Sequence, residues 1–147
     1  MKFVLDASTA IRVVVPEALG GAYAEDVMRL LERRGKPVCP QTWRAEVASG
    51  LHQAYLAKKI SEAAARAALR RLQALPVEFA DAPAPTALFD LQIKHAISAY
   101  DAMYVAIAQR RKLKIATHDS KLARNLVNRG MSDLLLSSSA LQKDEFA

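Results

Sequence analysis

Only one cysteine, Cys39, occurs in the 147-residue chain, so no disulfide can form within it. That fits a reducing cytoplasm and leaves the fold to packing alone. Between Val38 and Pro40 the thiol reads as core filler rather than as a nucleophile. Histidine is scarce too: His52, His95 and His118 share no ligand spacing such as a four-residue helical pair, which argues against a zinc site. No apolar run approaches the ~18–20 residues that span a bilayer, so no membrane association is expected. In Met1-Lys2-Phe3-Val4-Leu5-Asp6 an acid comes too early for the apolar stretch of a signal peptide. Repeats, linkers and low-complexity blocks are missing as well. The expectation is one domain over residues 1–147, ending in a loose tail at 138–147.

What is present is an ordinary globular balance, 52% apolar and 24% charged, carrying a net charge of +6. A sequence pI near 9.7 favours a polyanionic partner, because a positive field steers nucleic acid towards the surface.

Short apolar runs alternate with helical spacings along the chain. Lys2 to Leu5 reads as a buried strand, Ser8 to Val15 as a helix stopped by Pro16, and Ala22 to Arg34 as a helix ended by Gly35. Lys36 to Pro40 is a second strand. Thr42 then caps a helix to about Lys58, with Ala48, Leu51 and Tyr55 facing inward. Ser61 caps an Ala- and Arg-rich helix, Pro76 to Phe79 is a third strand, and Pro83 and Pro85 introduce a helix to about His95. The helix from Ser98 is apolar all round through Ala102 to Ala108, so it is expected to be buried on most sides, Met103 and Tyr104 included. Lys114 to Thr117 is a strand, Ser120 to Arg129 a helix closed by Gly130, and Leu134 to Leu136 a last short strand. This order predicts an α/β fold of three α/β/α layers with a short, mainly parallel central sheet.

In open α/β sheets ligands bind beyond the carboxyl ends of the strands. Asp6 and Asp119 each follow a strand at that end, Asp101 lies in the first turn of the buried helix, and Glu46 one turn into the helix after Thr42. Carboxylates that converge repel each other, and a hard cation such as magnesium offsets the repulsion. Each acid also has a structural reading. Asp6 and Asp119 can act as helix N-caps, and Ser98 with Asp101 has capping-box spacing. Glu46 lies almost opposite Leu51 and Tyr55 on a helical wheel and can be simply solvated.

Taken together, four segments resemble the signatures of the PIN-domain family, in that family's order and from Phe3 to about Met131. They are Val4-Leu5-Asp6-Ala7-Ser8, Pro40 to Val47 with Glu46, Ser98 to Ala108 with Asp101, and Thr117-His118-Asp119-Ser120-Lys121-Leu122. The third is the most specific, since it sets an acid and two tyrosines in register with an apolar helix. The resemblance implies that Asp6, Glu46, Asp101 and Asp119 are catalytic and bind one or two magnesium or manganese ions, supported by Ser8 and Thr117. The compact length is similar to that of VapC-type toxins of VapBC toxin–antitoxin pairs. Such a protein would be a cytoplasmic endoribonuclease that leaves 5′-phosphate ends, forms a homodimer, and is blocked by a small VapB-like antitoxin. His118 departs from the smaller residue common at that position in the family.

An acidic pocket repels RNA, so a basic rim is needed. Lys121, Arg124 and Asn128 share one helical face, opposite Ala123, Leu126 and Val127, and the first two are the expected phosphate contacts. Arg66, Arg70 and Arg71, like Arg110-Arg111-Lys112, read as solvated faces. The alternatives are a PIN nuclease of RNA processing without a toxin role and a non-catalytic basic RNA-binding module whose acids are caps. A haloacid-dehalogenase-type phosphatase ranks below these, because Ser8 stands where such enzymes place a second aspartate.

Overall fold

The run Lys2–Leu5 forms strand β1, and its alternation sorts the core: Phe3 and Leu5 enter one cluster of buried residues, Val4 the other. The structure, a computed structural model, describes residues 1–143. After β1 come α1 (Ala7–Val14), α2 (Pro16–Leu19), α3 (Ala22–Glu32), β2 (Lys36–Cys39), α4 (Trp43–Leu56), α5 (Glu62–Ala74) and β3 (Glu78–Phe79). The second half holds α6 (Pro85–His95), α7 (Ala99–Arg111), β4 (Ile115–Ala116), α8 (Lys121–Asn128) and α9 (Ser138–Gln142).

The sheet order is β3-β2-β1-β4 and every pairing is parallel. From β1 the chain steps outward to β2 and β3, then returns to lay β4 on the other side of β1. Right-handed crossovers place the two sets of connecting helices on opposite faces. Helices α1, α3, α4, α5 and α9 cover one face, packing around Phe3, Leu5 and Cys39. Helix α7, with α6 and α8, covers the other around Val4, Val38 and Ile115. The result is the three-layer α/β/α arrangement, and the strand order reverses between β1 and β4.

Local chemistry explains most boundaries. Ser61, Ser98 and Ser120 each accept a bond from the amide three residues on (Ala64, Asp101 and Ala123), capping α5, α7 and α8. Pro16 ends α1 and also opens α2, where its missing N–H costs nothing. Gly50 lets α4 approach α1, since a β-carbon there would come within 2.4 Å of the Ile11 Cδ1.

Four expectations change. Thr42 does not cap α4: its backbone is already helical and its side chain makes no cap bond. The buried stripe of α4 is Trp43, Val47, Leu51 and Ala54, whereas Ala48 and Tyr55 face solvent. The helix is turned so that the Trp43 ring meets Phe79 edge-on, 6.1 Å between centroids, and that rotation also swings Glu46 away from bulk water. Leu134 to Leu136 is not a strand: Ser132–Leu134 is a 3-10 turn, and only an isolated bridge from Leu135 to Ile115 follows. Within the expected loose tail, residues Ser138–Gln142 form α9, capped by Ser137 and anchored by buried Leu141; residues 144–147 lie outside the described part.

The corrected stripe is checked by paired truncations. Leu51→Ala, at a fully packed position, should cost about 2–5 kcal/mol in urea unfolding. Leu56→Ala, at an exposed position, should change stability by less than about 0.5 kcal/mol. Similar losses for both would contradict the observed rotation of α4.

Candidate active site at the carboxyl edge of the sheet

Asp6 leaves β1 still paired to β4, its amide donating to the Ala116 carbonyl at 3.1 Å. It is 6% exposed and stands at the N-cap position of α1 without making a side-chain cap bond. Its Oδ2 instead accepts from Thr117 Oγ1 at 2.7 Å and from Ser8 Oγ at 2.8 Å. Thr117 continues the chain of hydroxyls: its Oγ1 lies 2.7 Å from Ser120 Oγ, the same oxygen that caps α8. Because the Thr117 proton is committed to Asp6, Ser120 donates to Thr117. The N-cap of one helix thereby orients the acid at the end of β1.

Glu46 reaches the same edge from α4. Its Oε1 accepts from Thr42 Oγ1 at 3.1 Å and from the Tyr104 hydroxyl at 3.3 Å. The Tyr104 oxygen in turn accepts from the Ala7 amide at 3.3 Å, so one buried phenol links α7 to both acid-bearing segments. Burial raises the Glu46 pKa, and the negative charges of Asp6 and then Asp101 raise it further, against the lowering effect of its two hydroxyl donors. Burial, followed by the charges of Asp6 and Glu46, pushes the Tyr104 hydroxyl well above its ordinary range, so it remains a donor.

Asp101 joins from the first turn of α7. Its amide caps back onto Ser98, but its carboxylate does not complete a capping box: Oδ2 accepts from Asn125 Nδ2 of α8 at 2.7 Å. Asp6, Glu46 and Asp101 therefore share a pattern. In each, a neutral donor holds one oxygen, while Asp6 Oδ1, Glu46 Oε2 and Asp101 Oδ1 accept no bond among the described residues. None of the three meets a lysine, arginine or histidine within 4.0 Å among those residues.

Asp119 stands apart. Its φ of +51 is left-handed, a conformation aspartate tolerates, and the side chain is 70% exposed. Its carboxylate lies 3.9 Å from Arg12 and 3.2 Å from His118, and Ser120 rather than Asp119 caps the following helix. Asp119 shares no hydrogen-bond partner with the other three acids among the described residues, and among those residues no three His, Cys, Asp or Glu side chains stand as a preformed ligand group for a metal. The oxygen-only donor set without a resident cation nevertheless suits a hard divalent ion.

On α8 the buried residues are Leu122 and Leu126, so the helix is turned from the expected wheel. Val127 is exposed and shares an open cleft of about 370 Å³ with Arg124, Asn128 and Thr117 to Asp119. Lys121 is exposed outside that lining. The expected solvated cations are partly engaged: Arg111 pairs with Glu78, Arg110 bonds the Asp81 carbonyl, and Arg71 donates to the Val14 carbonyl at 2.8 Å. Sequence reading missed Tyr104, Asn125, Ser120 and Arg12 as neighbours of the acids. The tyrosine and asparagine lie one helical turn after Asp101 and Lys121 respectively, a spacing that shows proximity along a helix but not a partner on another.

Residues 3–126 match the PIN domain family. Two relatives, both named Ribonuclease VapC1 and from Mycobacterium tuberculosis strains CDC 1551/Oshkosh and ATCC 25618/H37Rv, are each 34% identical over 121 residues. The alignment covers 81% of this chain and 90% of each relative.

The raised Glu46 pKa has a measurable consequence. Above about pH 4.5, and up to its raised value, the native state holds a proton that the unfolded chain has released. Stability then falls as pH rises through that interval. In the presence of a chelator, Glu46→Gln should flatten this dependence and be the more stable protein near neutrality. Parallel urea-melting profiles across pH for variant and wild type would refute the shift.

Proposed function

The chain belongs to the PIN-domain family, and on that basis we propose that it is a magnesium- or manganese-dependent endoribonuclease, the toxin of a VapBC-type toxin–antitoxin pair. One observation carries the catalytic part of the reading: three acids at the strand-order reversal each keep one oxygen fixed by a neutral donor and the other unengaged. Hydrogen-bonded outer partners of this kind orient ligands and tune their basicity.

Asp6, Glu46 and Asp101 would hold the ion or ions, with Asp119 joining them by turning away from Arg12. When bound, the ion supplies charge neutralisation on the phosphoryl oxygens and a water of lowered pKa. The remaining work falls to the chain. Thr117 and Ser8 keep Asp6 Oδ2 turned inward, and Asn125 does the same for Asp101. Glu46, made more basic by burial and by its anionic neighbours, would use its one unengaged oxygen, Oε2, either to hold a second ion or to orient the attacking water. Arg124, lining the cleft beside Thr117, and Lys121 on the same helix supply cations for the RNA backbone. No side-chain nucleophile is required, and cleavage leaves 5′-phosphate and 3′-hydroxyl ends.

The partner of such a toxin is a small VapB-like antitoxin whose C-terminal segment brings a basic side chain among the acids, displacing the metal. Phe89, Ile93 and Tyr100 leave large apolar surface exposed on α6 and α7, suited to a homodimer acting in the cytoplasm. Sedimentation of a concentration series as monomer throughout would remove the dimer. Failure of a candidate antitoxin to bind the chain or reduce its cleavage would remove that pairing.

The decisive comparison is induced expression of wild type and Asp6→Asn, with growth and RNA 5′ ends read together. Arrest and new 5′-phosphate ends are expected from wild type only, with purified Asp6→Asn slowed by at least about 10²–10³-fold. Thr117→Val and Asn125→Ala should each lose about 10–100-fold in activity or metal affinity while remaining folded. Indistinguishable growth and RNA ends for wild type and Asp6→Asn would sink the nuclease reading.

A further inference from the structure

A second cavity, walled in part by Asp119, is built differently. It has a volume of about 180 Å³, and its walls include Thr9, Arg12, Gly21, Tyr23, His118 and Asp119. At ~30 Å³ per water that is room for roughly six waters. One wall is the start of α3, an eleven-residue helix whose N-cap, Gly21, contributes no side-chain bond. The first amide engaged there is that of Glu25, bonded to the Gly21 carbonyl, so the amides of Ala22, Tyr23 and Ala24 have no helical acceptor. Gly21 has a φ of +156 and an open space where a β-carbon would be, a conformation that presents these amides without a covering side chain.

The second observation is independent of the helix. Thr9 is 1% exposed, lines this cavity, and its Oγ1 has no hydrogen-bond partner. A buried hydroxyl left unmatched is costly, and such orphans are uncommon in native folds. Beside it, Arg12 holds a guanidinium with much of its donor capacity unspent: it reaches the Asp119 carbonyl only at 3.5 Å and the carboxylate only at 3.9 Å. The His118 ring, stacked on Tyr23 at 4.9 Å, fixes the far wall. The nearby Glu25 carboxylate is turned to Arg29, on the next turn of α3. Free amides at a helix start, a planar cation and an unmatched hydroxyl together make a site for a tetrahedral oxyanion.

We propose that this cavity is a subsite for a backbone phosphate of the RNA, adjoining the position where the chain is cut. The assignment rests on the nuclease reading for the identity of the ligand, though not for the anion chemistry. Thr117 links the two places: its hydroxyl orients Asp6 on one side, and it is followed directly by the His118 and Asp119 that wall the cavity. An entering phosphate takes Arg12 over from Asp119, which leaves that exposed carboxylate free to turn towards the other acids. The subsite would then anchor the backbone on the α1–α3 side while the Arg124 cleft receives it on the other.

The test uses the full chain with chelator present, so that cleavage plays no part. Inorganic phosphate is titrated at constant ionic strength while the amide resonances of Ala22, Tyr23 and Ala24 are followed. A labelled single-stranded oligoribonucleotide is then bound across a salt series. Saturable shifts at those three amides are expected. Arg12→Gln should weaken phosphate binding about tenfold and reduce the salt slope of RNA binding by about 0.7, the loss of one phosphate contact on a single strand. Thr9→Val should weaken phosphate binding several-fold without lowering the melting temperature, since it deletes an unmatched hydroxyl rather than a bond. Absence of shifts at α3, or phosphate shifts with an RNA salt slope unchanged in Arg12→Gln, would overturn the subsite. Arg12-dependent RNA binding by a wild-type protein that never cleaves with manganese restored would leave the subsite standing and defeat the nuclease reading instead.

Discussion

Like charges brought near one another repel, and Asp6, Glu46 and Asp101 have no lysine, arginine or histidine within 4.0 Å among the described residues to relieve them. Every other feature of the site follows from how the fold tolerates that. The donors that hold these acids are neutral: hydroxyls of Ser8, Thr117, Thr42 and Tyr104, and the amide of Asn125. Lysine or arginine in those places would neutralise the cluster. Neutral donors orient the carboxylates while leaving the negative potential in place; burial first, and then the charges of Asp6 and Asp101, raise the Glu46 pKa.

The sheet order makes this crowding attainable. Parallel strands leave their carboxyl ends on one edge, and at the reversal between β1 and β4 the following helices depart to opposite faces. Tyr104 joins the segments that meet there. Its ring is buried in the α7 layer, while its hydroxyl accepts from the first amide of α1 and donates to Glu46 of α4. A single phenol thus ties three helices at the point where charge accumulates, a role that its apolar surroundings along the chain do not announce.

Around the acidic centre the positive charge of the chain is distributed rather than concentrated. Several cations serve the fold itself: Lys2, Lys36 and Arg111 converge on Glu78 at the sheet edge, with Arg111 foremost in lowering that carboxyl to about 2. Arg12 and Arg124 are not spent in this way: they line two different cavities, and His118 and Asp119 belong to both linings. A polyanion drawn in by the net positive field would meet Arg12 of α1 and Arg124 of α8.

The order of strands and helices, the serine caps at Ser61, Ser98 and Ser120, and the placement of Asp6 at a strand end were legible in the amino-acid sequence, because each depends on near neighbours and on period. Membership of the PIN family was legible for the same reason, through short motifs in fixed order. Helix rotation was not: α4 presents Trp43, Val47 and Leu51 inward, and α8 exposes Val127, because the layers they dock on decide which stripe is buried. Nor was the fate of Asp119, whose left-handed backbone turns it to Arg12, a residue more than a hundred positions earlier. Covalent order determines which groups are available and how each element starts and stops. Which oxygen is held, which is left open and which acid stands aside are decided by contacts between elements remote in the chain, and those exist only once the layers have packed.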